Sequence, residues 1–235
     1  MPRLRQPPAE GQIRHRTMAE FALEQLREAI ILGELPAGTP LRLDELARSL
    51  GMSISPIREA VRQLEALGLA KHVPHQGARV LDFDVEELRD LFAVRLALES
   101  LAVRRAAEHF TGADADRARD CLDRFDAMRG AGDVRETMRA HTEFHFTLYE
   151  AAQSPWLVGL IRPAWDRSER FRPALLASAG EPQDRHRGFD ERLVEACESH
   201  DPQGAADALY AHLELASVFF ETELGGQGIF APRGG

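Results

Sequence analysis

The chain has 235 residues, enough for one large or two modest domains, and carries a formal net charge of -9. Its apolar runs are broken by charges well short of the roughly 20 residues a membrane span needs, and Met1 to Arg16 lacks a signal-type apolar stretch, so a soluble cytoplasmic protein with no membrane partner is expected. The two cysteines, Cys121 and Cys197, have no CxxC spacing, which argues against a disulfide framework or a thiolate zinc site.

Residues 1–16, with Arg3, Arg5, Arg14 and Arg16 among Pro and Gln, read as a flexible arm. Through Asp82 basic and acidic residues roughly balance, and the acid excess falls in the remainder. A near-neutral segment can still bind nucleic acid if its arginines share one face, because the field at a phosphate depends on local arrangement. From Thr17 to Leu32 the residues Phe21, Leu23, Leu26, Ile30 and Ile31 recur at helical spacing, ended by Gly33 and Pro36. A second helix is predicted over Leu43 to Leu50, stopped by Gly51, and a third from Ser55 to Leu67, stopped by Gly68. Ser55 is expected to cap the third helix with Pro56 at its first position. Ile57, Val61 and Leu64 then share the inward face, leaving Arg58 and Arg62, one turn apart, on the other. Leu69 to Val73 and Ala78 to Leu81, around Pro74-His75-Gln76-Gly77, read as two short strands and a turn. Residues 17–82 thus form a winged helix-turn-helix with a small β wing.

The run ILGELPAGTPLRLDELARSLGMSISPIREAVRQLEALGLAKHVPHQGARV resembles the DNA-binding domain of GntR-family bacterial regulators. The resemblance implies that Ser53, Ser55, Arg58 and Arg62 face phosphates or base edges and that the wing tip, Gln76 and Gly77, enters the minor groove, with Arg79 on the second strand as a further DNA contact. The chain departs from the family at Ile54, where a basic residue is usual, which implies an altered operator preference or weaker binding.

After residue 83 no segment alternates as a strand. Helices are predicted over Val85 to His109, Asp114 to Met128, Val134 to Ala152, Trp156 to Ala177, Gln183 to Ser199 and Pro202 to Glu223, an all-α bundle spanning 83–223, with a flexible tail over 224–235. The fold class is therefore mainly α. Such bundles build polar sites from side chains on facing helices. His141 and His145 lie four apart beside Met138, Phe144 and Leu148, so both imidazoles point inward, and an i, i+4 pair can chelate one ion at about 2.1 Å from each nitrogen.

Over Leu91 to Phe220 the chain is similar to the FCD ligand-binding domain of one GntR subfamily. That resemblance implies a divalent metal held by His141, His145, Asp190 and His212, with His141 standing where the family has Asp and Asp190 where it has His. Three imidazoles and one carboxylate suit zinc, with nickel and manganese as alternatives. His186, one turn before Asp190 on the same face, takes that role if the register slips. Arg95, in a segment resembling the family's Arg-x-x-Leu-Glu, is expected to bind the carboxylate of an effector, the alternative being a surface ion pair with Glu99. These features together imply a DNA-binding transcriptional regulator, a repressor acting as a homodimer on a double-stranded operator, whose affinity is controlled by a small organic acid. A metal-dependent enzyme is the rival class, but the HExxH signature fails because Thr142 follows His141; a metal-free effector pocket is the other alternative.

Overall fold

The computed structural model describes the backbone of residues 17–82, 85–170, 172 and 183–224, and the side chains of 17–82, 86–170, 172 and 187–217. The arm expected over 1–16 and the tail beyond Leu224 lie outside the described residues. The chain divides into two compact units between Phe83 and Asp84. None of the described helices is long and apolar enough to cross a membrane.

In the N-terminal unit, helix α1 (Met18–Ile31) begins at a reciprocal cap: Glu20 N donates to Thr17 Oγ1 at 3.2 Å and Thr17 N donates to Glu20 Oε2 at 2.8 Å. Ala22, Leu26, Ala29 and Ile30 fall on its buried face. Helix α2 (Leu43–Leu50) stops where Gly51 turns left-handed at φ 66°. Helix α3 (Ile54–Ala66) starts earlier than the sequence suggests, with Ser53 rather than Ser55 as the flanking cap residue. Pro56 is therefore the third helical residue, a position still tolerant of proline because the first four backbone donors of a helix have no intrahelical acceptor. Ile57, Ala60, Val61 and Leu64 turn inward and α3 packs on α1.

At the end of α3, Leu69 N donates to Leu64 O at 2.9 Å and Gly68 N to Glu65 O at 3.1 Å, with Gly68 at φ 69°. That closing turn delivers the chain into β1 (Ala70–Val73), which pairs antiparallel with β2 (Gly77–Val80), Ala70 opposite Val80 and Val73 opposite Gly77. Leu69 and Val80 enter the same core as Leu26, Leu46 and Leu64. The wing and the two-helix motif are thus anchored on one apolar cluster.

The C-terminal unit is helical throughout its described residues: α4 (Val85–His109), α5 (Gly112–Gly130), α6 (Val134–Ala151), α7 (Pro155–Glu169), α8 (Gln183–Glu198) and α9 (Pro202–Leu224). Their starts are set locally. Thr111 and Asp114 form a reciprocal cap on α5, Asp133 accepts from Glu136 N at 3.1 Å to cap α6, Pro155 opens α7, and Asp201 accepts from Gly204 N at 2.9 Å at the head of α9. Helix α7 ends at Glu169, short of the predicted Ala177; residues 173–182 lie outside the described set. Helix α4 packs against α6, α7, α8 and α9. Its buried stripe, Leu88, Phe92, Arg95, Glu99, Ala102 and Ala106, follows helical spacing but carries a charge pair at its centre.

Candidate metal centre and nucleic-acid face

Helix α6 presents His141 and His145 to the interior, 3% and 0% exposed, and α9 adds His212 at 1%. The three come from sequence positions 71 or fewer residues apart, yet one ligand atom of each lies within 4.8 Å of the others. The His145 ring is the centre of the group, with centroids 4.6 Å from His141 and 4.8 Å from His212. Trp165 of α7 stacks on His141 at 5.3 Å and closes one side.

Outer partners stand at Nδ1 of His145 and of His141. Tyr149 Oη, one turn after His145 on α6, donates to Glu99 Oε2 at 2.8 Å and lies 3.4 Å from His145 Nδ1. With the phenol proton directed at Glu99, Nδ1 of His145 is the donor and its Nε2 carries the lone pair. Burial, followed by the Glu99 charge, raises the Tyr149 pKa well above the ordinary phenol range, so the phenol keeps that proton. Burial, then the neighbouring His141 and His212, and then Arg172 and Arg95, hold the His145 pKa well below 6.5, so the ring is neutral, the form that binds metals. His141 Nδ1 stands 3.2 Å from Glu169 Oε2, and Arg172 Nε reaches both oxygens of that carboxylate at 3.0 Å.

Asp190, 5% exposed on α8, comes beside His212: Oδ1 is 3.0 Å from Nδ1, misaligned for a hydrogen bond. His145 Nε2 and Asp190 Oδ1 are both buried and make no hydrogen bond among the described residues. Leaving such atoms unsatisfied is costly, and a cation accepts both kinds of donor atom at once. The three imidazoles therefore fit a divalent ion on the chain's own side chains, while Asp190 lies against His212 without joining the group of ligand atoms that fall within 4.8 Å of one another. The side chain of His186, the alternative to Asp190, lies outside the described residues.

Arg95 reaches this neighbourhood in an unexpected state. It is 3% exposed, with Nε donating to Glu99 Oε1 at 2.6 Å, Nη2 to Glu99 Oε2 at 3.1 Å and Nη1 to Ser168 Oγ at 2.8 Å, while its guanidinium lies 4.7 Å from the Trp165 ring centre. Burial disfavours the charge, but Glu99's charge and hydrogen bonds outweigh it and raise the pKa. The ion pair with Glu99 forms, but inside the bundle rather than on its surface. Three of the five guanidinium N–H donors are thus engaged, two by Glu99 and one by Ser168, and the edge that could grip a carboxylate through Nε and Nη2 is already taken by Glu99.

In the N-terminal unit Ser53, Ser55, Arg58 and Arg62 are exposed along one side of α3 and line a shallow concavity with Met18 and Ala19. Neither arginine is paired with a carboxylate among the described residues. Gln76 and Gly77 are exposed at the wing tip, where His75 and Gly77 adopt φ 62° and 79°. Arg79 is half-buried, with Nη1 donating to Gly38 O at 2.9 Å, so it ties the wing to the α1–α2 connection. Tyr149, Glu169, Arg172, Trp165 and Ser168 were not picked out by sequence. Tyr149 had a signal, its i+4 spacing from His145; the others come from a facing helix or its end and had none.

Residues 18–80 match the family described as bacterial regulatory proteins, gntR family, and residues 90–215 match the FCD domain. A probable D-xylose utilization operon transcriptional repressor of Paenarthrobacter nicotinovorans is 34% identical over 195 residues, 80% of this chain and 84% of that protein. The HTH-type transcriptional regulator McbR of Escherichia coli K12 is 27% identical over 160 residues, 68% of this chain and 72% of its own length. The solved structure of E. coli McbR/YncC superposes with a TM-score of 0.80 at 23% identity, over 89% of this chain and 99% of that one, a likeness of fold.

Proposed function

Because this chain belongs to the gntR family of bacterial regulatory proteins and carries an FCD domain, we propose that it represses transcription as a homodimer on a double-stranded operator, under control of a small carboxylate effector bound beside a divalent ion. The chain is a transcriptional regulator, its relatives include named repressors, and regulators of this family bind DNA operators, typically as dimers; they are not enzymes. FCD domains often bind metal. The observation that carries the ligand half of the reading is geometric: His145 is fully buried with no hydrogen bond at Nε2 among the described residues, and one ligand atom each of His141, His145 and His212 lies within 4.8 Å of the others. His141, His145, His212 and Asp190 would hold the ion, zinc by its preference for such donors, nickel or manganese otherwise. A bound ion would supply a Lewis-acid anchor for the effector's carboxylate. Arg95 and Arg172, whose charges act on His145, add positive potential without releasing their carboxylate partners.

Asp190→Ala is expected to lower metal affinity about 10- to 100-fold, whether Asp190 binds the ion or orients His212, while His186→Ala leaves it nearly unchanged. Metal titration of the two purified variants decides this, and the reverse ranking would transfer the role to His186.

For the DNA half, Ser53, Ser55, Arg58 and Arg62 would meet phosphates and base edges as α3 enters the major groove, Gln76 and Gly77 would follow the minor groove, and Arg79 would hold the wing at the angle that permits it. Dimerisation would place two α3 helices on the half-sites of a near-palindrome. Arg58→Ala is expected to weaken operator binding by about 1 to 3 kcal/mol while leaving fold and dimer intact. Unchanged affinity in a mobility-shift titration, with a duplex selected from a random library, would remove α3 from the DNA.

A further inference from the structure

Ile54 is the first residue of α3, and it stands between Ser53 and Ser55 with 44% of its surface exposed. The core below α3 is formed by Ile57, Ala60, Val61 and Leu64, so Ile54 contributes little to holding the helix. Its neighbours on the exposed side are polar: Ser53, Ser55, Arg58, Glu59 and Arg62. Only Met18, 37% exposed, is a comparably exposed large apolar side chain among the described residues of this unit. Side chains on a helix tilt toward its N-terminus, so Ile54 leads α3 rather than trailing along its flank.

The N-terminal residues of a recognition helix are those that reach base edges. There the major groove presents hydrogen-bonding atoms at every base pair but a single apolar group, the C5 methyl of thymine. An isoleucine can neither donate to nor accept from a base edge. The aliphatic side chain has one complementary surface in that groove, and contact with it removes apolar area from water on both sides.

We propose that Ile54 is a specificity-determining residue that reads the C5 methyl of a thymine in each half-site. The inference rests on the reading of α3 as the helix that enters the groove. The test uses the full-length protein to select duplexes from a random-sequence library and then replaces each thymine of the best duplex, one at a time, by deoxyuridine, which lacks only that methyl group. Fluorescence anisotropy is expected to show one thymine per half-site whose replacement weakens binding about fourfold, the fold-change for withdrawing one buried methyl group from contact. With Ile54→Ser that penalty disappears, because the serine hydroxyl has no apolar surface to lose, and Ile54→Val retains part of it. If no uracil position is penalised, or if the penalty is the same in Ile54→Ser, the assignment of Ile54 fails. Arg58→Ala separates the two levels. Binding that depends on Arg58 but not on any thymine methyl overturns the role of Ile54 alone, whereas binding indifferent to Arg58, or a library that yields no enriched duplex, overturns the placement of α3 and the inference with it.

Discussion

An Arg95→Met protein is expected to lose about 3 to 5 kcal/mol from its C-terminal unit, the cost of leaving one member of a buried ion pair uncompensated. Glu99 is fully buried and takes two hydrogen bonds from the guanidinium, so methionine leaves a carboxylate in the core whose remaining hydrogen bond among the described residues comes from the Tyr149 hydroxyl. Chemical denaturation followed by tryptophan fluorescence reports the loss, since Trp165 packs directly under the guanidinium. The double variant Arg95→Met/Glu99→Leu is expected to recover most of the stability, because apolar residues of similar volume often replace a buried pair without loss. A single Arg95→Met variant within about 1 kcal/mol of the parent would mean that Glu99 finds solvent or another cation, and the buried-pair description would have to be given up.

Protein purified without chelator or nickel resin is expected to contain one divalent ion per subunit, and its removal should destabilise the same unit by an amount set by mass action. At free metal a thousandfold above the dissociation constant, that stabilisation is about 4 kcal/mol. His145→Ala takes away the ring at the centre of the group and should abolish both the bound ion and the thermal shift on adding zinc. His109→Ala, on the far end of α4, should leave both intact. Elemental analysis showing no metal in the parent, with no thermal shift on adding zinc, nickel or manganese, would sink the metal centre and leave the imidazoles as packed core residues.

Much of this organisation was readable in the chain itself because its signals are local. Gly51 and Gly68 stop helices by turning left-handed, apolar residues recur at helical spacing, and His141 and His145 fall on one face of one helix. The misreadings occurred where a local rule met two acceptable answers. Ser53 and Ser55 are both good flanking residues for a helix, and proline is tolerated after either. The state of Arg95 was obscured for a different reason: an Arg and a Glu four apart look the same in sequence whether the face they share meets water or Trp165 and Ser168. What turned that face inward is the apolar stripe Leu88, Phe92, Ala102 and Ala106, which brackets the charged pair. The outer partners Glu169 and Arg172 follow from how α7 meets α6, which neither helix encodes alone.

The hydrogen bonds from His145 to Tyr149, from Tyr149 to Glu99, and from Arg95 to Glu99 and Ser168 cross α6, α4 and α7 in one unbroken series. A ring that is clamped at Nε2 loses torsional freedom, and each partner along the series inherits part of that restriction. An ion held at Nε2, as proposed above, would therefore restrict the torsions of Tyr149, Glu99 and Arg95 along with those of its ligands, and that lost freedom would be part of the cost of binding it.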